Sequence, residues 1–199
     1  TVFDVPCGQG GVSVPLAKRY GAHVKGFDIV PEYIDMSRAL ANSEGVGHLC
    51  DFEVADVRDV VKEKDACDLL LWIAPPHVFG KSKETMWALR NPVKNGGVIL
   101  VGDAYTLSGM EDKENYGDYE GLEDVNGGLA SFGDELVDLH DYKTSSWKRD
   151  YAVTRKVAEN ALKEATDKED KKLLEEYLVK LDESEKEDSE TLGQAVWII

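Results

Sequence analysis

Cysteine is scarce in this chain and has no pattern. Cys7, Cys50 and Cys67 are an odd number without a C-x-x-C pair. That disfavours a disulfide framework and a zinc site, so no metal is expected, and it fits a reducing, cytoplasmic setting. Long apolar runs are missing, so no segment reads as a bilayer span, and no secretory signal stands out. Positive charge is in deficit: 23 Lys and Arg face 39 Asp and Glu, a formal net charge of -16. No Lys/Arg cluster offers a basic face, which argues against nucleic acid or an anionic membrane as partner. Internal repeats and a clear linker are absent as well. The sequence opens at Thr1, without methionine and inside what reads as a strand; the expectation is that an N-terminal segment is missing from it.

What is present suits one globular domain over 1–199, since 42% of its 199 residues are hydrophobic. Up to residue 103, short apolar runs alternate with helical stretches. "TVFDV", "AHVKGFDI", "CDFEVAD", "ACDLLLWIA" and "GGVILVGDAY" read as strands. The stretches after "TVFDV", after "AHVKGFDI" and before the turn Asn95-Gly96-Gly97 read as helices; Pro31 suits the second helix's first turn and Gly45 its end. Strand–helix alternation predicts right-handed βαβ units and a parallel sheet covered on both faces. The near-continuous apolar strands "DLLLWIA" and "GVILVG" fit that burial.

Beyond Tyr105 the text turns acidic and glycine-rich, and 105–132 reads as a long loop or a short broken helix. "DELVDLHDYKTS" reads as a sixth strand and "GQAVWII" as a seventh. Two helices lie between them, a helical insertion over 145–190. In the second, Leu173, Leu174, Tyr177, Leu178 and Leu181 form one stripe, and Thr166 with Glu169 fits a capping box.

The first strand runs into "DVPCGQGG", a strand-to-helix turn with Gly8, Gly10 and Ser13 at a loose G-x-G-x-x-small spacing. Such a turn binds anions or merely reverses the chain. Asp28 closes the second strand, twenty residues after Gly8, where a ribose hydroxyl pair would lie. Asp56 closes the third strand in "EVAD". A single acid at a strand end is ordinarily just solvated. Asp4, Asp28 and Asp56 fall at the same end of neighbouring strands beside Gly8 and Gly10, which favours a nucleoside site.

"VFDVPCGQGGVSVPLAKRYGAHVKGFDIVPEYIDMSRA" resembles the first half of a class I S-adenosylmethionine-dependent methyltransferase. Asp4 matches the acid of the family's D/E-x-G-x-G-x-G turn, Gly8 and Gly10 match its last two glycines, and Pro6 replaces the first. Asp28 matches the acid that holds the ribose hydroxyls, Ile29 the apolar residue beside the adenine, and Asp56 with Val57 the acid that receives the adenine amino group. The resemblance implies S-adenosylmethionine as cofactor, S-adenosylhomocysteine as product, and a cofactor site that also includes Cys7, Gln9 and Ala74. It implies a Rossmann-like α/β fold, a seven-stranded, mostly parallel sheet with an antiparallel last strand and helices on both faces. The C-terminal part resembles small, poorly characterised prokaryotic members with a helical insertion between the last two strands.

The function expected is methyl transfer to a small-molecule acceptor by in-line displacement, with catalysis mainly by positioning. The alternatives are a nicotinamide-dependent oxidoreductase and a non-catalytic S-adenosylmethionine-binding protein. "IAPPHVFG" resembles the N/D-P-P-Y/F loop of methyltransferases acting on amino groups, but Ala74 and His77 replace its working residues. His77 is a candidate base or an ordinary loop histidine. Tyr105, Tyr116 and Tyr119 are candidate substrate residues, alternatively part of a solvated loop. Loop 105–132 and helices 146–188 are expected to cap the substrate, with Glu111, Asp112, Glu114 and Asp118 favouring a neutral or cationic acceptor. Trp147 and Tyr151 anchor the insertion by burial. The charge-rich helices after Lys163 are a solvated cover or a homodimer surface.

Overall fold

The structure, a computed structural model, describes residues 1–75, 77–110 and 116–199. The elements follow in the order β1 (Val2–Asp4), α1 (Ser13–Tyr20), β2 (Val24–Asp28), α2 (Pro31–Ser43), β3 (Cys50–Val54), α3 (Val57–Val60) and β4 (Cys67–Ile73). Then come α4 (Ser82–Leu89), β5 (Val93–Thr106), α5 (Leu122–Leu129), β6 (Asp138–Lys143), α6 (Ser145–Glu164), α7 (Lys168–Thr191) and β7 (Leu192–Ile198). Seven strands form one sheet in the order β3-β2-β1-β4-β5-β7-β6. The first five are parallel. β7 runs antiparallel to β5, with Ile99 and Ile199 exchanging backbone hydrogen bonds of 2.7 and 2.9 Å. The expected Rossmann-like sheet is therefore present, antiparallel last strand included.

The chain divides into two compact units. One comprises Thr1–Asp103, Glu123–Leu139 and Val196–Ile199; the other comprises Ala104–Leu122 and His140–Ala195. In the first, β1 is buried along its whole length, as a strand covered on both faces must be. Helix α1 sets Val14 and Ala17 inward and ends at Gly21, whose left-handed backbone lets its N–H reach the Ala17 carbonyl at 2.9 Å. Helix α2 buries Ile34, Ser37 and Ala41, one stripe at spacings of three and four. Those apolar side chains join Val2, Val24, Phe52 and Leu71 in one core cluster. Burying a residue such as Ile34 contributes about 1.5–3 kcal/mol, which fastens α2 beside the β1 turn.

In the second unit α6 packs on α7. The Trp147 indole N–H donates to the Leu192 carbonyl at 2.9 Å. The Tyr116 and Tyr151 hydroxyls both donate to the Asp188 carboxylate, and Tyr105 donates to Asp141 at 2.7 Å. Arg155 on α6 pairs with Asp182 and Glu185 on α7.

Several expectations are corrected. The fifth strand starts at Val93, ahead of the expected Asn95–Gly97 turn, which becomes an irregularity in its pairing with β4. Within 105–132, read as a long loop or a short broken helix, the helical alternative is the one present, α5 taking up Leu122–Leu129. The short α3 was not foreseen; four residues carry no readable period. The α7 stripe is narrower than expected, with Leu174, Leu178 and Leu181 turned inward and Leu173 and Tyr177 exposed. The cap of α7 is Asp167 rather than Thr166: its carboxylate accepts from the N–H groups of Glu169 and Asp170 at 2.7 and 3.3 Å. An ionised acceptor beside two unpaired amides, at the positive end of the helix, outcompetes a hydroxyl one residue earlier. Asp167→Ala should cost about 0.5–2 kcal/mol in urea unfolding followed by circular dichroism, and Thr166→Ala markedly less.

Candidate functional site

The glycine turn leaves β1 at the point where the sheet order reverses. β1 pairs with β2 on one side and β4 on the other, and the chain proceeds outward in both directions from there. In an open parallel sheet this switch point, at the strands' carboxyl ends, is where ligands bind. Asp4 and Asp28 close the two strands beside it, and the loop after β4, with Ala74 and His77, flanks it on the other side.

Hydrogen bonds hold the turn. The Cys7 N–H donates to the Phe27 carbonyl at 2.8 Å, which ties the turn to β2. The Gly8 N–H donates to Asp28 Oδ2 at 2.9 Å, and the Val30 N–H to Asp28 Oδ1 at 3.0 Å. Each Asp28 oxygen thus accepts one backbone bond. A carboxylate offers about four acceptor positions, so two remain for a hydroxyl pair. Gly8 and Gly10 have φ of 52° and 79°, a left-handed conformation that side chains disfavour. A Cβ on Gly10 would lie 3.1 Å from Ser37 Oγ, a tight contact that adds to the backbone preference for glycine there.

Asp4 is 1% exposed and accepts a 2.6 Å bond from the Ser13 hydroxyl. Burial dominates its titration: desolvation pushes its carboxyl up from 3.8 to about 6, the Ser13 bonds oppose this, and the Asp28 charge adds to it. Burial likewise pushes the Cys7 thiol up to about 12, helped by the charges of Asp4 and Asp28, so Cys7 stays protonated and is no nucleophile.

The remaining sequence candidates are placed as follows. Ile29 is 61% exposed directly after Asp28. Asp56 caps α3, accepting from the Arg58 N–H and from its guanidinium; these bonds hold its carboxyl down at about 2. Val57 is buried. Pro6 and Gln9 belong to the turn, Gln9 exposed. Ala74 has a φ of 45° and donates its N–H to the Gly102 carbonyl at 2.7 Å. His77 Nε2 stands 3.7 Å from Asp103 Oδ2, an ion-pair distance rather than a hydrogen bond. Tyr105 and Tyr116 are buried in the second unit with their hydroxyls committed to Asp141 and Asp188, so neither is a solvated loop residue. Tyr119 stacks near Tyr116, ring centroids 6.3 Å apart. Glu111, Asp112, Glu114 and Pro76 lie outside the described residues. Among the described residues no His, Cys, Asp or Glu cluster could hold a metal.

Sequence reasoning missed the part played by Ser37. Its hydroxyl lies 3.0 Å from the Gly8 carbonyl oxygen and 2.9 Å from that of Tyr33. The available signal was a hydroxyl inside the apolar stripe Ile34, Ser37, Ala41. A cavity of about 1110 Å³, lined in part by Asp65, Trp87, Asn91, Gly97, Val137 and Ile199, is at the amino-terminal edge of the parallel strands. It contains none of the turn residues. The switch point, the left-handed glycines and the buried acids lie at the other edge, and the chemistry decides.

This geometry defines a glycine turn and two buried acids at the switch point of a Rossmann-like sheet. Residues 2–97 match the family described as "Methyltransferase domain". A 75-residue segment is 39% identical to an uncharacterized RNA methyltransferase of Parasynechococcus marenigrum, covering 38% of this chain and 16% of that protein. A 101-residue segment is 32% identical to a chloroplastic tocopherol O-methyltransferase of Arabidopsis thaliana, covering 50% of this chain and 29% of that one. The chain thus spans less than a third of the length of either relative. In fold it is similar to a crystal structure of an S-adenosylmethionine-dependent methyltransferase from Thiobacillus denitrificans in complex with S-adenosyl-L-homocysteine. The TM-score is 0.82 at 20% identity, over 99% of this chain and 83% of that one. Over residues 2–97 the chain is thus similar to methyltransferase domains, and its likeness to the solved structure is one of fold.

The buried acid makes a pH prediction. The folded Asp4 carboxyl titrates above its unfolded value, so folding binds a proton between about pH 4 and 6 and stability falls as pH rises through that window. The shift from 3.8 to about 6 corresponds to on the order of 3 kcal/mol. Asp4→Asn, which retains an acceptor for Ser13, should gain stability relative to the parent as pH rises from about 4 to 7. Urea unfolding of both proteins across that range reads the difference; a constant difference would show that Asp4 does not titrate there.

Proposed function

We propose that this chain binds S-adenosylmethionine on the Asp4–Gly10 turn and transfers its methyl group to a small-molecule acceptor. The observation that carries the reading is the Asp28 carboxylate, locked by the Gly8 and Val30 amides with acceptor capacity left over. The donor set fits the cofactor: Asp28 for the ribose hydroxyls, exposed Ile29 against the adenine, and Gly8 and Gly10 for close backbone approach. Asp56 and Val57 are the further contacts this reading assigns to the adenine.

The bound cofactor supplies an electrophilic methyl on a sulfonium. The chain's own residues supply orientation: Asp28 fixes the ribose end and the turn fixes the other. Positioning of this kind is worth up to about 7–11 kcal/mol. The two buried acids, Asp4 and Asp28, add a negative field that favours a cationic sulfonium over a neutral thioether. His77 is the group of the β4 loop able to take a proton from an acceptor, and it is needed only where the acceptor's proton is held tightly.

The acceptor class follows from charge. The tocopherol relative is named for a small molecule and the other for RNA. A chain of net charge -16 repels a polyanion, so the small molecule is preferred. In calorimetry the protein should bind S-adenosylhomocysteine and not NADH, and Asp28→Ala should weaken binding at least tenfold, since a charged hydrogen bond contributes about 1.5–3 kcal/mol. Tight NADH binding without S-adenosylhomocysteine binding would move the chain to the oxidoreductases. Methyl transfer to RNA, and to none of a panel of amines and phenols, would overturn the acceptor class.

A further inference from the structure

Ser37 sits where no apolar packing requires a hydroxyl. It is 0% exposed, on the inward stripe of α2 between Ile34 and Ala41. An alanine would satisfy that stripe without burying a polar group. The hydroxyl has one proton and two acceptors in reach, the carbonyl oxygens of Gly8 at 3.0 Å and Tyr33 at 2.9 Å. The Tyr33 carbonyl lies four residues back on the same helix and is served by the helix ladder. The Gly8 carbonyl lies in a turn, and among the described residues the other donor to it is the Cys7 thiol at 3.6 Å, a weak one. The Gly8 carbonyl therefore has the greater need of the Ser37 proton.

That bond has a consequence one atom further on. The Gly8–Gln9 peptide is trans and planar. Its carbonyl and the following N–H point in opposite directions. With the Gly8 oxygen drawn toward α2, the Gln9 N–H faces away from α2. The neighbouring amides are occupied: Cys7 N–H by the Phe27 carbonyl, Gly8 N–H by Asp28, Gly10 N–H by the Cys7 carbonyl. The Gln9 N–H has no partner among the described residues, and Gln9 is exposed. It is an outward-facing donor whose direction is set from behind by a side chain on another element.

We infer that Ser37 is a positioning residue for the cofactor: its hydroxyl fixes the Gly8–Gln9 peptide so that the Gln9 N–H receives the carboxylate of the cofactor's amino-acid tail. That carboxylate is the single anionic group of S-adenosylmethionine and of its product, and a charged acceptor is what a fixed, unpaired amide selects. The inference rests on the S-adenosylmethionine reading above. The Gly10 contact reinforces it, because the space that a Cβ there would need is filled by Ser37 Oγ and Cβ at 3.1 and 3.2 Å. The hydroxyl and the missing Cβ keep α2 and the turn at one separation.

The test compares two ligands that differ in the tail. S-adenosylhomocysteine carries the carboxylate; methylthioadenosine keeps the nucleoside and the sulfur and lacks it. Calorimetry on the parent comes first, and failure of the parent to bind either ligand counts against the cofactor reading itself. With the parent binding both, Ser37→Ala should weaken S-adenosylhomocysteine about five- to tenfold, the loss of one hydrogen bond of about 1 kcal/mol, and leave methylthioadenosine within twofold. In turnover the same variant should raise KM for S-adenosylmethionine and leave kcat nearly unchanged. Ser37→Cys, which keeps the volume and a weak donor, should fall between parent and alanine, and it carries the test if the alanine variant does not fold. Unchanged S-adenosylhomocysteine affinity would overturn the inference. An equal loss for both ligands would overturn it too, because it would assign Ser37 to the shape of the whole site rather than to the tail.

Discussion

One carboxylate organises the rest of the site. Asp28 closes β2 and receives the Gly8 amide from the turn after β1 and the Val30 amide at the entry to α2. The turn after β1, the end of β2 and the start of α2 are thereby fixed at one point. Parallel strands without a hairpin have nothing local to set the position of the loops above them. Here the backbone of the turn is referenced to a neighbouring strand by Asp28 and by the Cys7–Phe27 bond. The surrounding apolar contacts, Phe3 against Phe27 at 5.1 Å among them, keep that strand in place. Charge alone would not do this, since an exposed acid is free to turn to water; Asp28 is 6% exposed and answers to two amides.

Much of this was legible in the sequence, for identifiable reasons. The strands of the first hundred residues are short apolar runs punctuated by Gly and Pro, and both signals are local. The turn was readable because Gly8, Gly10 and Asp28 have a spacing imposed by one strand–helix–strand passage. Gly45 was readable as the end of α2 because left-handed backbone, φ 74° there, selects glycine. The resemblance to a methyltransferase rested on those same residues.

What escaped the sequence depends on distant partners or on short segments. Helix α3 has four residues, too few for a period, and only the Asp56–Arg58 bonds mark its start. Tyr116 read as part of a polar loop, and its partner Asp188 lies 72 residues away. Ser37 offers the sequence only a hydroxyl in an apolar stripe, because nothing local says that a carbonyl from another loop approaches it. Asp167 and Thr166 are adjacent cap residues of similar propensity, and only the observed geometry separates them.

The chain maintains a buried acid that weakens it. Folding removes Asp4 from water, and the upward shift of its carboxyl measures what that burial costs the charged form. The Ser13 hydroxyl offsets part of the penalty and the Asp28 charge adds to it. An apolar residue at the end of β1 would remove the cost altogether. On the proposed reading the cost is recovered at the moment of binding: a sulfonium brought near Asp4 and Asp28 stabilises both carboxylates, and the free energy withheld from folding reappears as affinity for a cation. On that same reading the two buried acids favour a cationic sulfonium over a neutral thioether.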